Sequence, residues 1–505
     1  MARINTNVPS LVAQIHLARS NQDMNERLTR LSTGLRINRG ADDPAGLISS
    51  ERLRSELRGI DQGITNSERA SSVIAVAEGA LIEVSDLLNS VKALIVEAAN
   101  TGAVSDEEIA ANQLQVDSAI ESITRIANST NFAGLKLLNG ELDYVLSGVD
   151  SSDISIAKVF SANFGDNDTV PINVEVLGSA QVAQLFMQGD ADIASGGVVV
   201  SSFTIEIAGN EGVTTLSFVS GQSLSSIASA VNRLTGATGV SASLVDSSDT
   251  SSGLIFSSKT FGSDAFVSIT KMGSDGSSFA VYAADDSTKA LDSTNIDTTK
   301  PLKRDIGQDV TAIVNGILAT GDGLKISTNA PTLTLSLQLT QSFAQVINNT
   351  SNFTITGGGS IFQLGPQVKN SQQVSIGLQS IASSRLGGVL TDGEVVFLNS
   401  IMSGGDLDLD SGKLQTASKV LEQAIDEVSV MRGRLGAFEK NTLETNVRSL
   451  QAALENVTSS ESAIRDADFA AETSKMTRAQ ILTQAGTSVL ALANSNAQTV
   501  LQLLG

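Results

Sequence analysis

The strongest constraint on the fold is an apolar stripe that repeats every seven residues along a stretch without proline. One column of the stripe contains Ile74, Leu81, Leu88 and Ile95. A second column lies three residues further along and contains Ala77, Val84, Val91 and Ala98. Four such heptads are typical of a helix that packs along its length in a coiled coil or bundle. Asp43 and Pro44 supply a cap and a first-turn proline. We therefore predict one helix from Pro44 to about Asn100.

Further segments repeat this pattern. One stripe contains Ile109, Val116, Ile120, Ile123 and Ala127. Near the C-terminus, one column contains Leu414, Leu421, Val428 and Leu435, and its companion contains Ala417, Ala424, Met431 and Phe438. The pattern then slips by one residue and resumes at Leu443, Leu450, Val457 and Ile464, which changes the supercoil locally. We predict a multidomain protein with an all-α antiparallel helical bundle or coiled coil from both chain ends. An ordinary globular helical domain is the alternative.

The middle of the chain, about 175–400, carries strand signals instead. Phe203, Ile205 and Ile207 alternate with polar residues before a turn at 210–212, and the alternation resumes at Leu216 and Phe218. This spacing predicts a β-hairpin. Residues 222–234 show a short amphipathic helical pattern, and 333–339 alternate again. We expect inserted outer domains that are mostly β or α+β.

These patterns divide the chain into five segments. We predict an N-terminal helix at 1–43 and the N-terminal part of the helical bundle, with a short hairpin, at 44–175. A surface-exposed β-rich or α+β insertion follows at 176–400. The C-terminal part of the bundle occupies 401–458, and a C-terminal helix occupies 459–505.

Composition excludes several classes of function. The chain has 505 residues, no Cys, one His and a net charge of −21. The absence of Cys excludes thiolate catalysis and Cys-ligated metal sites, and one His excludes a multi-His site within a chain. The acidity argues against nucleic-acid binding, which needs basic surface. We expect no metal and no cofactor.

The candidate chemical motifs have simpler structural explanations. Asp406, Asp408 and Asp410 begin a calcium-loop spacing, but the glycine and glutamate that such a loop requires are absent. His16 fits a helix face. Nothing assembles a nucleophile, a base and an oxyanion donor, so we expect no enzyme and no catalytic residues. No run reaches about 18 apolar residues, and residues 1–20 lack the apolar core of a signal peptide. We therefore expect no membrane insertion.

Both extreme ends are predicted to depend on partners. Residues 1–40 and 461–505 carry too few large apolar side chains to offset clearly the entropy of ordering them. Residues 1–60 hold nine Arg and six acids, and no charged residue follows Arg478. We expect these ends to be marginal in an isolated chain and to become ordered against neighbouring copies.

Several longer motifs resemble those of one family. Residues 31–38 (LSTGLRIN) followed by 41–47 (ADDPAGL) resemble the N-terminal signature of bacterial flagellin. Residues 131–138 (NFAGLKLL), 432–437 (RGRLGA) and 474–482 (SKMTRAQIL) resemble later parts of that family. Residues 202–269 resemble a short insertion module of some flagellins.

The resemblance implies a function and partners. Flagellins are exported unfolded through the flagellar type III export apparatus and polymerise beneath a cap into a hollow filament, which transmits motor torque as a propeller. Their terminal helices line the channel, and their central domains face outwards. The resemblance thus implies a secreted, extracellular structural subunit. Its partners would be copies of itself, an export chaperone, the filament cap, hook-associated junction proteins and the export apparatus.

The resemblance also implies three sets of site residues. Those for subunit packing are Leu11, Ile15, Leu28, Leu31, Leu35, Leu482, Val489, Leu492 and Val500. Those for the chaperone are Ile481, Leu482, Val489, Leu492, Val500, Leu501 and Leu504. A segment recognised by the vertebrate flagellin-sensing Toll-like receptor would contain Asn89, Ser90, Lys92, Leu94 and Glu97. Ser90 and Ala93 replace the usual Arg and Glu there, which argues against strong recognition.

Two alternatives remain open. A hook–filament junction protein has similar ends, although the full 34–47 signature and the long C-terminal match favour a flagellin. A coiled-coil surface adhesin would need a membrane anchor or a signal peptide, and the sequence shows neither.

Overall fold

The computed structural model describes residues 6–165, 167–187, 193–194, 198–199, 202–246, 249–273, 281–284, 296–391 and 394–504. The chain divides into two compact units. The first unit consists of Met1–Ser72, Phe362–Gln373 and Gly436–Gly505. The second unit consists of Val73–Ile361 and Val374–Leu435.

The helix predicted from Pro44 to about Asn100 runs from Pro44 to Ala98, whereas the helices nearest the two chain ends, Val8–Thr33 and Phe469–Leu504, occupy only parts of the predicted segments 1–43 and 459–505. In chain order the described helices are α1 Val8–Thr33, α2 Pro44–Ala98, α3 Asp106–Ser129, α4 Leu224–Asn232, α5 Thr235–Thr238, α6 Gln341–Ala344, α7 Leu414–Phe438, α8 Glu444–Arg465 and α9 Phe469–Leu504. A π-helical turn, Glu439–Leu443, joins α7 to α8. It lies where the C-terminal heptad pattern slips by one residue, because a π turn absorbs one extra residue within a continuous helix. Short 3₁₀ helices occupy Asn370–Gln372 and Leu398–Ile401.

The described strands fall between α3 and α7. They are β1 Asn131–Phe132, β2 Leu135–Lys136, β3 Tyr144–Ser147, β4 Ile154–Ala162, β5 Val170–Gly178, β6 Val182–Met187, β7 Ile193–Ala194, β8 Val198–Val199, β9 Phe203–Gly209, β10 Gly212–Phe218, β11 Val240–Asp246, β12 Asp249–Phe261, β13 Phe266–Met272, β14 Val281–Ala284, β15 Ile296–Pro301, β16 Arg304–Ile306, β17 Thr311–Val314, β18 Ile317–Leu318, β19 Thr320–Asp322, β20 Lys325–Ala330, β21 Leu333–Leu339, β22 Thr350–Gly358, β23 Ser360–Gln363, β24 Gln373–Ile376, β25 Val389–Thr391 and β26 Glu394–Val396. Helical ends with β-rich insertions are thereby confirmed.

The helical part of the second unit buries the predicted heptad stripe. Each stripe residue from Ile74 to Ala98 is at most 3% exposed. On α3 and α7 the stripe residues Val116, Ile120 and Leu421 are fully buried. The Asp43 Oδ1 atom accepts a hydrogen bond from the Gly46 N–H group at 2.9 Å, so Asp43 caps α2 as predicted.

The β-rich part of the second unit contains two cores. Sheets of order β18-β17-β5-β22-β3 and β19-β20-β21-β4 enclose one core, which includes Phe343 and Leu337. Sheets of order β10-β9-β13-β16 and β11-β12-β6-β14-β15 enclose the other core together with α4. The predicted hairpin is confirmed, because β9 and β10 pair antiparallel with Gly209 opposite Gly212.

The sheets begin earlier than the position, 176, at which the sequence pattern places the insertion. Strands β3, β4 and β5 pair with β22, β21 and β17, which lie more than 130 residues further along the chain. Such pairing over long sequence distances leaves little local signal, which explains the difference.

In the first unit, α2 and α8 run antiparallel. Arg465 Nη1 lies 2.9 Å from Glu51 Oε1, and Asn446 Nδ2 donates to Ser67 Oγ at 3.1 Å. Ser71 donates to the Glu439 carboxylate within the π turn. As the position on α2 rises, the position of its partner falls, so the two directions are opposed.

Candidate polymerisation surface

Helices α1 and α9 form an antiparallel pair that joins the two ends of the chain. Arg27 Nη1 lies 3.0 Å from Glu472 Oε2, and Asn7 Nδ2 donates to the Ala493 carbonyl at 3.1 Å. Positions that face the partner recur at heptad spacing and are buried or half-buried. On α1 they are Ser10, Ala13, Leu17, Ser20, Met24, Arg27 and Leu31, and on α9 they are Glu472, Met476, Ala479, Thr483, Gly486, Leu490 and Ala493.

Small residues in this seam allow close approach of the two backbones. A Cβ atom added to Gly486 would lie 3.4 Å from Leu17 Cδ1. Ser10, Ala13, Ser20, Ala479 and Ala493 are further small residues in the seam. The seam is therefore tight, but it buries few of the large apolar side chains that the two helices carry.

Polar contacts fasten both ends of the pair. At one end, Asn7 caps α1 through the Ser10 N–H group, and Ser10 Oγ donates to Asn494 Oδ1 at 2.8 Å. At the other end, the Arg36 N–H group donates to the Arg465 carbonyl at 2.7 Å, and the Ala467 N–H group donates to the Gly34 carbonyl at 2.9 Å. Polar contacts thus join α1 to α9 near both ends of the described pair within one copy.

A charge cluster lies within the seam. Glu472 is 4% exposed and accepts hydrogen bonds from Arg27, while Lys475 Nζ lies 3.2 Å from its Oε1 atom. Arg27 also contacts Asp23 at 3.1 Å. Burial alone would raise the pKa of Glu472, but the hydrogen bonds from Arg27 and Lys475 lower this pKa overall. The carboxylate therefore stays charged inside the helix pair.

One flank of the pair is an exposed apolar groove of about 630 Å³. Its lining residues are Val8, Pro9, Val12, Ala13, His16, Ser20, Leu482, Ala485, Gly486 and Val489. None of them other than His16 has an ionisable side chain. As predicted, His16 lies on a helix face. We call this surface the apolar flank.

The opposite flank of α9 is polar. Gln480, Gln484, Thr487 and Asn494 lie there and are exposed. A pair with one apolar and one polar flank presents two different surfaces to its surroundings. Such a pair can pack through one surface while the other contacts water.

The structure separates the predicted packing residues into two groups. Leu31 lies in the seam, and Leu35 forms an isolated β-bridge with Asp466. The others that are described lie outside the seam with 46–62% of their surface exposed, and these are Leu11, Ile15, Leu28, Leu482, Val489 and Leu492. Val500 lies in α9, but its side chain falls outside the described part of the structure.

The residues predicted for the chaperone and the receptor lie on helix surfaces. Ile481 is exposed like Leu482, whereas the side chains of Leu501 and Leu504 fall outside the described part. Asn89, Ser90 and Glu97 are exposed on α2, and Leu94 is half-buried. Lys92 donates to the Glu422 carboxylate of α7 at 3.1 Å. These roles remain predictions.

The seam of α1 and α9 and the buried Glu472 were not predicted from the sequence. The signal was a heptad that mixes Ser, Ala and Gly with Leu, Met and charged residues, and such a mixture does not stand out in a search for large apolar residues. Asp406, Asp408 and Asp410 lie in the irregular segment before α7. Among the described residues, no group of three or more His, Cys, Asp and Glu side chains could hold a metal ion, and no helix has the length and apolarity to cross a membrane.

Long helices from both chain ends that pair antiparallel, with β-rich domains inserted between them in sequence and an exposed apolar flank, define the class of protein. Three family models match the chain. The bacterial flagellin N-terminal helical region matches 4–143, the C-terminal helical region matches 418–504, and the flagellin hook IN motif matches 202–260. The chain belongs to the bacterial flagellin family.

Relatives agree with this family over the full length. The chain is 30% identical over 519 residues to the B-type flagellin of Pseudomonas aeruginosa, 29% identical over 537 residues to the flagellin of Escherichia coli, and 28% identical over 548 residues to the flagellin of Salmonella muenchen. In each case the match covers 99% of both chains. The solved flagellar hook associated protein-3 of Legionella pneumophila is 12% identical, with a TM-score of 0.29, and the match covers 81% of this chain and 97% of that chain.

Proposed function

We propose that the chain is a structural subunit that polymerises into the extracellular filament of a bacterial flagellum and transmits motor torque as part of a propeller. The observation that carries this proposal is the apolar flank of the α1–α9 pair. The seam is closed within one copy, yet Leu482, Val489 and Leu492 stay exposed beside a groove without acidic or strongly basic groups. Burying these side chains against other copies returns hydrophobic free energy that one copy cannot collect.

The two flanks determine which side of the α1–α9 pair faces other copies and which side faces water. The apolar flank packs against neighbouring copies, and the polar flank with Gln480, Gln484 and Thr487 faces the water of a central channel. Contacts between unlike patches on identical chains form an open helical assembly when the rotation between neighbours does not close a ring. The family match over both ends supports this arrangement.

We propose further that the subunit crosses the flagellar type III export apparatus unfolded and that an export chaperone binds α9 from Ile481 onwards. The same exposed row, Ile481, Leu482, Val489 and Leu492, then serves the chaperone before export and neighbouring copies afterwards. The filament cap and hook-associated junction proteins would be the other partners.

We assign no catalytic activity. A junction protein, the alternative from the sequence, is less supported, because flagellins match 99% of the chain at 28–30% identity.

Val489→Asp tests the proposal. A charge on the apolar flank would have to be buried without a partner in the polymer, which is costly, so we expect no filaments by electron microscopy of purified chain on seeds. Thr487→Asp is the matched control, because it places the same charge on the polar flank of the same helix and should leave assembly largely intact. Normal filaments from the Val489→Asp variant would contradict the proposal.

A further inference from the structure

A segment far from the terminal helices in sequence lies across helices α2 and α8. We call residues 362–373 the strap. Asn66 Nδ2 donates to the Gln363 carbonyl at 3.1 Å, and Asn446 Nδ2 donates to the Leu364 carbonyl at 2.9 Å. Leu364 is buried. Amide side chains on two helices therefore hold the strap through its backbone.

Two glycines of α2 allow the strap to lie close. A Cβ atom on Gly59 would lie 2.9 Å from Pro366 Cβ, and one on Gly63 would lie 3.0 Å from the Leu364 carbonyl oxygen. Glycine is less favourable than alanine inside a helix. The contact with the strap explains why these two positions lack a side chain.

The tip of the strap is rigid and exposed. Gln363 Nε2 donates to the Gly365 and Gln367 carbonyls at 2.9 and 2.7 Å, and the Gln367 N–H group donates to Gln372 Oε1 at 2.7 Å. Val368, at the tip, is 86% exposed, the highest value among the exposed large apolar residues of the described chain. A tip ordered in advance loses little entropy on binding.

Lys369 gives the tip a charge. It is the sole charged residue of the strap, it is exposed, and it makes no ion pair among the described residues. A surface that fits the tip should therefore combine a shallow apolar depression with carboxylates.

The outer face of α2 in the second unit has this combination. Gly79 lies in the helix interior, is exposed, and has no atom within 4 Å of an added Cβ atom, so nothing within the chain explains the glycine. Val76 and Ile82 beside it are 39% and 44% exposed. Glu83 and Asp86 are exposed on the same side. We call these five residues the Gly79 face.

We propose that the strap tip of one copy seats on the Gly79 face of a second copy. Val368 enters the depression left by Gly79, between Val76 and Ile82, and Lys369 approaches the carboxylates of Glu83 and Asp86. The interface is heterologous, as an open polymer requires. This inference rests on the proposed function, because it needs copies that associate.

Disulfide trapping tests the contact directly, because the chain contains no Cys. Val368→Cys chain and Ile82→Cys chain are mixed, polymerised and oxidised. We expect a disulfide-linked dimer in the mixed filaments that neither variant forms when polymerised alone. The unpolymerised mixture at the same concentration is the control and should give no such dimer.

Gly79→Ala separates assembly from stability. Filling the depression should raise the critical concentration for assembly by about tenfold, equivalent to 1.4 kcal/mol, whereas the better helix former should raise the Tm of the monomer by roughly 1–3 °C. Gly433→Ala on α7 is the matched control, because that glycine also has open space around it. It should raise the Tm without changing the critical concentration.

Charge reversal tests the role of Lys369. Lys369→Glu should weaken assembly, and Lys369→Glu combined with Glu83→Lys should restore it. The contact between the strap tip and the Gly79 face would be overturned alone if the wild-type chain formed filaments but the mixed Cys filaments gave no dimer. Normal assembly of the Gly79→Ala and Lys369→Glu chains would accompany that result. Failure of the wild-type chain to form filaments would overturn the proposed function and this contact together.

Discussion

The seam of α1 with α9 and the stripe of α2 in the second unit use the same heptad period with opposite results. In the second unit the repeating positions hold large aliphatic residues such as Leu81 and Leu88, which are fully buried. In the α1–α9 pair they mix small residues such as Ser10 and Gly486 with larger ones such as Leu17, and most of the described large apolar residues lie outside the seam. The period fixes which face meets a partner, whereas side-chain size decides how much apolar surface is left for other molecules.

The two units also differ in charge. The first unit contains 16 Lys and Arg and 15 Asp and Glu, and the second contains the remaining 17 and 39 of the 33 and 54 in the chain. A nearly neutral unit can pack densely against copies without burying unpaired charge. The surplus of carboxylates in the second unit favours contact with water.

The largest effect should appear when one buried side chain of the stripe in the second unit is shortened. Leu88→Ala should lower the free energy of unfolding of the monomer by about 3 kcal/mol, because it removes a fully buried side chain and leaves a cavity. Denaturation by urea followed by circular dichroism measures this loss. Val96→Ala on the same helix is the control, because Val96 is exposed, and a similar loss there would contradict the assignment of the stripe.

The next largest effect should come from the buried charge of the α1–α9 pair. Glu472→Gln should cost about 2 kcal/mol in the unfolding of this pair, because Arg27 loses a charged partner but keeps Asp23. Lys475→Gln should cost less than about 0.5 kcal/mol, because that side chain is exposed. Equal losses of unfolding free energy in the two variants would show that the buried ion pair of Arg27 and Glu472 stabilises the fold no more than the exposed contact of Lys475.

The same carboxylate predicts a dependence on pH. Because the pKa of Glu472 is lower in the folded chain than in the unfolded chain, its stabilisation is present above the unfolded pKa. This stabilisation is lost as the pH falls through the lower, folded pKa. The unfolding temperature of the α1–α9 pair should therefore drop on acidification more steeply in the wild type than in the Glu472→Gln variant. The same fall of unfolding temperature with pH in both chains would contradict this prediction.

The smallest effects distinguish glycines that touch the strap from glycines in open space. Gly63→Ala should lower the free energy of unfolding by about 1 kcal/mol, because the new methyl group would lie 3.1 Å from Leu450 Cδ1 and 3.0 Å from the Leu364 carbonyl oxygen. Gly433→Ala should raise it by about 0.5 kcal/mol. Thermal unfolding of the two variants side by side measures the contrast. Changes in stability of the same sign in both variants would be inconsistent with the close contact between Gly63 and the strap within one chain.

Sequence patterns predicted the parts of the fold whose signal is local. The buried stripe, the cap at Asp43 and the one-residue slip after Phe438 depend on side-chain size and spacing along one helix. The order of strands in the sheets depends on pairing between residues far apart in sequence, and it could not be predicted from local periodicity. The strap depends on the carbonyls of Gln363 and Leu364, which carry no sequence signal. The exposed apolar residues were found because they are large, whereas the seam that positions them was missed because many of its members are small or polar.

The π turn at Glu439–Leu443 has a consequence for how such chains vary in length. An extra residue placed there widens one turn and leaves the helical phase on either side unchanged, since the surplus is absorbed locally. Single-residue insertions and deletions among related chains should therefore concentrate in this turn, where a change in length is tolerated that would rotate half of an ordinary helix by about 100°.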